Sequence, residues 1–164
     1  MMKIKLLIKQ KILWFAVIII LAWIISSRYM QFVLVQGVSM EPTLHNLEIV
    51  ILIKNIDEFQ QGDLIAFRTK GERKTYIKRI IACEGDMVYI EDGDLFVNDC
   101  LLENNRINYK NIGHAGLLSK PILLEKGEYI VLGDNLSVSI DSRYKEIGII
   151  RKGDIRGKII KFFG

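Results

Sequence analysis

Ser39 sits in Gly37-Val38-Ser39-Met40-Glu41-Pro42-Thr43-Leu44, and it is the first residue of the chain whose setting suggests covalent chemistry. A glycine before it and a proline after it favour a sharp turn that would expose the hydroxyl. Taken alone, this is an ordinary turn with a solvated serine. Thirty-nine residues on, Tyr76-Ile77-Lys78-Arg79-Ile80-Ile81 places two cations side by side in an apolar strand. Strand alternation puts Lys78 on one face with Tyr76 and Ile80, and Arg79 on the other with Ile77 and Ile81. One of the two must lie among apolar side chains, and only lysine can respond by losing its proton. At a pKa near 10.4 about one lysine in a thousand is neutral at pH 7.4; lowering it by about two units takes roughly 2.7 kcal/mol, which an apolar pocket can supply. The third segment, Gly133-Asp134-Asn135-Leu136-Ser137-Val138-Ser139-Ile140-Asp141-Ser142-Arg143, joins a turn to a polar cluster with a local Asp141–Arg143 pair.

Strands must hold these segments. Runs of strand length fall at residues 28–35, 48–53, 64–67, 75–82, 129–132, 147–150 and 155–162, and residues 87–97 fold back around Asp92-Gly93 as a hairpin. Residues 98–120, rich in Asn, read as a long surface excursion. No helical period extends over a convincing stretch after residue 27. The expected domain is all-β, an antiparallel-sheet fold on a single-helix tether.

The tether is Ile12 to Ile25, fourteen apolar residues without a break. Lys9 and Lys11 can snorkel so that Leu6, Leu7 and Ile8 lengthen it. No small-x-small pair follows the run, so an uncleaved anchor is favoured over a removable leader. The expected division is a cytoplasmic basic tail at 1–11, a transmembrane anchor at 12–27, and an extracytoplasmic β catalytic domain at 28–164. Lys3, Lys5, Lys9 and Lys11 before the anchor set that orientation by the positive-inside rule. They also account for the whole net charge of +4: the other 19 basic residues match the 19 acidic ones, leaving no basic footprint for nucleic acid. Cys83 and Cys100 carry no spacing signature and could be bridged or free. No metal-ligand spacing occurs, and neither a metal nor another cofactor is expected.

Together the three segments, in this order behind an N-terminal anchor, resemble the type I signal peptidases. The Ser-Met-x-Pro-Thr-Leu, Lys-Arg and Gly-Asp-Asn…Ser-x-Asp-Ser-Arg elements all occur, and Gly62-Asp63-Leu64-Ile65-Ala66-Phe67 matches a further one. The resemblance spans residues 12 to 160 and fits the bacterial Ser–Lys form, since the endoplasmic-reticulum relatives usually carry His in place of this Lys. It implies a membrane-bound endopeptidase that cuts signal peptides from exported preproteins at the outer side of a lipid bilayer. Ser39 would be the nucleophile and Lys78 the general base. Ser139 would orient the Lys78 amine through a hydrogen bond, Asp141 and Arg143 would brace that loop, and the Ser39 N–H would stabilise the oxyanion. Val35, Met40, Leu44, Tyr76 and Ile77 would line shallow pockets for small residues, with the substrate added as a strand beside residues 34–37 or 75–78. Two departures stand out. Gly37 removes a hydroxyl donor that some members have, and Leu136 replaces the usual Arg after Gly-Asp-Asn. Three rivals are weaker. A His-dependent hydrolase would need His45 or His114, neither of which lies in a motif. A self-cleaving repressor would need a helix-turn-helix, which is missing. A non-hydrolytic assembly factor for cell-surface proteins would be expected to have lost Ser39 or Lys78.

Overall fold

The computed structural model describes residues 2–69, 71–104 and 107–161. The apolar run folds as one helix, α1 (Met2–Tyr29, 28 residues). It continues past Ile25 because nothing in Ser26-Ser27-Arg28 breaks a helix, and Ser27 turns its hydroxyl back to donate to the Ile24 carbonyl at 2.8 Å. Its stretch Lys9–Tyr29 has 21 residues, mean hydropathy 2.0 and no part buried against the protein. At 1.5 Å per residue that stretch spans about 31 Å, matching a bilayer's hydrocarbon core.

Among the described residues eleven strands follow: β1 (Met30–Leu34), β2 (Ile49–Ile53), β3 (Leu64–Phe67), β4 (Tyr76–Ala82), β5 (Met87–Glu91), β6 (Asp94–Val97), β7 (Cys100–Leu101), β8 (Ile122–Leu123), β9 (Glu128–Leu132), β10 (Ile150–Arg151) and β11 (Ile155–Ile160). Every recorded pairing is antiparallel, so the chain forms the all-β domain its pattern implies. A seven-stranded sheet runs β1-β2-β11-β3-β4-β9-β10, and a four-stranded sheet runs β7-β6-β5-β8. β3, buried along its whole length at the middle of the large sheet, is continuously apolar. In β2, Val50 and Leu52 turn inward while Ile49 stays exposed. The Asp92-Gly93 hairpin has both central residues at positive φ, 51° and 85°, as a tight two-residue turn demands.

The chain departs from its sequence reading at several ends. The strand expected from Arg28 begins at Met30, because α1 takes up Arg28 and Tyr29. Of the run at 147–150 only Ile150 joins a strand; Tyr144 accepts the Ile147 and Gly148 N–H groups with its carbonyl and curls the chain into a turn. The excursion at 98–120 holds β7 and a 3-10 turn at Gly116–Ser119. β11 ends at Ile160, and the expected extension to Phe162 falls outside the described residues. Cys83 and Cys100 are both free thiols.

Candidate active site

The Ser39 turn hangs between β1 and β2. Its two arms are tied by Val35 N–H to the Glu48 carbonyl and Leu47 N–H to the Val35 carbonyl, both at 2.8 Å. Gly37 takes φ +100°, a backbone conformation suited to glycine, and its N–H donates to Asn46 Oδ1 at 2.9 Å. Met40 and Leu44 drop into the apolar cluster of Val35, Val50, Leu52 and Leu64, which fastens the turn from below. Ser39 is left half-buried at the top, and among the described residues no hydrogen bond occupies its N–H.

Lys78 reaches the turn from β4. Its Nζ lies 2.6 Å from Ser39 Oγ, and the residue is 4% exposed. The register pairs Arg79 with Leu132, the last residue of β9, so Lys78 lies just beyond the stretch of β4 paired to β9. Burial pushes the amine down from 10.5 to about 8; the carboxylates of Asp141 and Asp134 oppose that, while the charges of Lys74 and Arg143 add to it. At a pKa of about 8, roughly one Lys78 in five is neutral at pH 7.4. The pair can therefore pass a proton from hydroxyl to amine at physiological pH.

The segment after β9 supports the pair from behind. Asp141 and Arg143 form a buried two-point ion pair (Nε–Oδ1 2.8 Å, Nη2–Oδ2 3.0 Å). Asp141 also accepts the Gly133 N–H at 3.1 Å, and Arg143 donates to the carbonyls of Leu136 and Ser139. A buried pair with this many partners fixes a loop in one conformation. Ser139 is 1% exposed, but its Oγ has no hydrogen-bond partner, so the expected bond to the Lys78 amine is not formed here.

Several contributors escaped the sequence reading. Arg79 grips Asp134 with both ends of its guanidinium (2.9 and 2.7 Å) and also donates to the Gly62 carbonyl and Thr43 Oγ1. Asn135 donates its N–H to the Ser39 carbonyl at 3.1 Å and its side-chain amide to the Val38 carbonyl at 3.3 Å. A β-carbon on Gly133 would overlap Ser139 Oγ and stand 2.5 Å from the Ser39 carbonyl oxygen, so only glycine permits this approach. The legible clue was local: a cation beside Lys78 that cannot lose its charge needs a carboxylate, and Asp134 was left without a partner.

The expected pocket residues divide. Tyr76 and Ile77 are partly exposed, and the Tyr76 ring stacks on Phe67. Val35 (4%), Met40 (2%) and Leu44 (0%) belong to the core beneath the turn, so Leu44 presents no surface to a ligand and Val35 and Met40 almost none. Any shallow pocket here would have these three as its packed floor and not as an exposed wall. Both histidines are exposed and have other contacts: His45 lies 4.0 Å from Glu41, and His114 packs on Tyr144.

An antiparallel β scaffold carrying a serine beside a buried, readily neutralised lysine has what a serine peptidase without a catalytic histidine requires. The family model described as signal peptidase, peptidase S26, matches residues 8–163. Signal peptidase I of Bacillus licheniformis is 32% identical over 152 residues, covering 85% of this chain and 79% of that protein. Signal peptidase I S of Bacillus subtilis is 33% identical over 163 residues, covering 91% and 87%. The crystal structure of a signal peptidase I from Enterococcus faecalis superimposes with a TM-score of 0.51 at 26% identity, covering 65% of this chain and 100% of that one. The chain belongs to the signal peptidase, peptidase S26, family.

Proposed function

We propose that this chain is a membrane-bound serine endopeptidase that removes N-terminal signal peptides from secreted preproteins through an acyl-enzyme on Ser39. The observation that carries the dyad is the 2.6 Å contact between Ser39 Oγ and a Lys78 amine whose burial brings its pKa down to about 8. Neutral Lys78 takes the Ser39 proton as Oγ attacks the scissile carbonyl. The resulting oxyanion lies toward the Ser39 N–H, which has no competing partner among the described residues. The Lys78 ammonium then gives its proton to the departing amine, and the amine so regenerated activates the water that hydrolyses the ester.

Two stretches at strand edges, among the described residues, support binding of an extended substrate. β1 is the edge of the large sheet, and Tyr76, Ile77 and Lys78 of β4 lie beyond the stretch paired to β9. A substrate strand between them would meet Tyr76 and Ile77, with Val35, Met40 and Leu44 acting as the packed floor that keeps the pockets shallow. Such pockets suit residues no larger than alanine. Ser139 is assigned to hold the Lys78 amine during turnover: a buried hydroxyl without a partner beside the reacting groups is a bond held in reserve.

Residues 12–27 of α1 are assigned as the anchor, the lysines of residues 1–11 as a cytoplasmic tail and residues 28–164 as an extracytoplasmic domain. The exposed Phe32 and Leu34 of β1, which follows α1 without a linker, favour a domain resting close to the bilayer. Incubation of the detergent-solubilised chain with a preprotein ending its signal in Ala-x-Ala, followed by sequencing of the new N-terminus, tests the reading. Cleavage after that alanine by wild type, with none by Ser39→Ala, is expected. A folded wild type that binds the preprotein but never cuts it would favour the assembly-factor reading.

A further inference from the structure

We propose that Lys161 is a positioning residue for the nucleophile, holding the 43–48 arm of the Ser39 turn from the far end of the chain. The proposal rests on the reading of Ser39 as nucleophile. β11 lies between β2 and β3, and its last residue, Ile160, pairs with Ile51. The next residue therefore leaves the sheet near the foot of β2, where the turn re-enters it. There Lys161 Nζ donates to the Thr43 carbonyl at 3.1 Å and pairs with Glu48 Oε1 at 3.3 Å. The second Glu48 oxygen accepts the His45 N–H at 2.8 Å.

These bonds converge on Thr43. Its hydroxyl accepts from Arg79, and Arg79 is itself held by Asp134, so Thr43 is gripped by its side chain from the dyad side and by its carbonyl from the C-terminal side. Leu44 N–H closes back onto the Met40 carbonyl at 2.9 Å, carrying that constraint to the residue after Ser39. An ordinary surface ion pair joins two mobile side chains and constrains little. This one differs because the ammonium also binds main chain within the turn, and both side chains are less than a third exposed. Loss of the Lys161 amine would release the Thr43 carbonyl and one Glu48 oxygen together. The Ser39 hydroxyl would then sample positions away from Lys78, and even a shift of about 1 Å can cost about a hundredfold in rate.

Full-length Lys161→Met, Lys161→Arg and Glu48→Gln chains in detergent test this by two readouts. Amide hydrogen exchange should accelerate about tenfold or more at Leu44 and His45 in Lys161→Met, with β3 and β4 unchanged. The kcat on a preprotein should fall about tenfold with KM within about threefold, since orientation matters mainly in the transition state. Lys161→Arg should recover most of both, because a guanidinium can serve carbonyl and carboxylate together. Glu48→Gln should fall between, as it keeps the acceptor for His45 but loses the charge. Unchanged exchange in the turn, equal acceleration throughout the β domain, or an Arg variant no better than Met would each overturn the proposal. A wild type without cleavage activity would instead refute the peptidase reading, and the exchange data alone would still decide the role of Lys161.

Discussion

Replacing Lys78 by Met should make the protein more stable near neutral pH and remove part of its pH dependence. The side chain is 4% exposed, and its amine titrates at about 8 in the folded chain against 10.5 ordinarily. Between those values the unfolded chain binds a proton that the folded chain does not, so stability is lowest below pH 8 and rises as pH climbs toward 10.5. At about 1.36 kcal/mol per pH unit, burying this amine costs the fold about 3 kcal/mol at pH 7. Met fills similar volume without charge. It also forfeits the contact with Ser39, worth about 1 kcal/mol, so the pH trend is more diagnostic than the absolute value. Urea unfolding of the full chain in detergent at pH 7 and pH 10, wild type beside Lys78→Met, supplies the comparison. The stability advantage of the variant should shrink by about 2 kcal/mol across that interval. A difference that is the same at both pH values would refute the premise that burial lowers the Lys78 pKa.

Three further outcomes follow from the geometry. Gly133→Ala should cost about 1–3 kcal/mol in thermal unfolding and at least about a hundredfold in cleavage rate, because the new methyl must displace Ser139 or the Ser39 main chain. Arg79→Lys should fold yet lose about ten- to a hundredfold in kcat/KM, since an ammonium cannot serve Asp134, Gly62 and Thr43 at once. Ser139→Ala should raise the unfolding temperature slightly by removing an unpaired buried hydroxyl, while kcat drops about ten- to a thousandfold; full activity would remove Ser139 from the mechanism.

Local rules pointed toward Ser39 and Lys78, a turn bounded by Gly37 and Pro42 and a strand that must bury one of two neighbouring cations, but only the joint resemblance of the three segments singled the two residues out as a pair. The Asp92-Gly93 hairpin was legible from a local rule alone. Contacts between distant segments were not. The fixed charge of Arg79 calls for a carboxylate without saying that it is Asp134, nothing near Thr43 announces Lys161, and Asn135 reads as a turn residue until its bonds to Ser39 and Val38 are seen. The two-residue strands β7 and β8 exist only through their partners, β6 and β5. Leu44 shows a further limit. An apolar residue on a turn can face a ligand or the core, and only the assembled cluster of Val50, Leu52 and Leu64 shows that it faces inward.

The most direct measurement of the central claim is the pH dependence of kcat/KM for cleavage of an Ala-x-Ala preprotein. With Lys78 as the base of the free enzyme, the rate should rise in proportion to hydroxide up to an apparent pKa of about 8 and level off above it. A His45→Ala, His114→Ala double variant should trace the same curve. An acid limb near 6.5 that disappears in the double histidine variant would contradict the Ser39–Lys78 assignment.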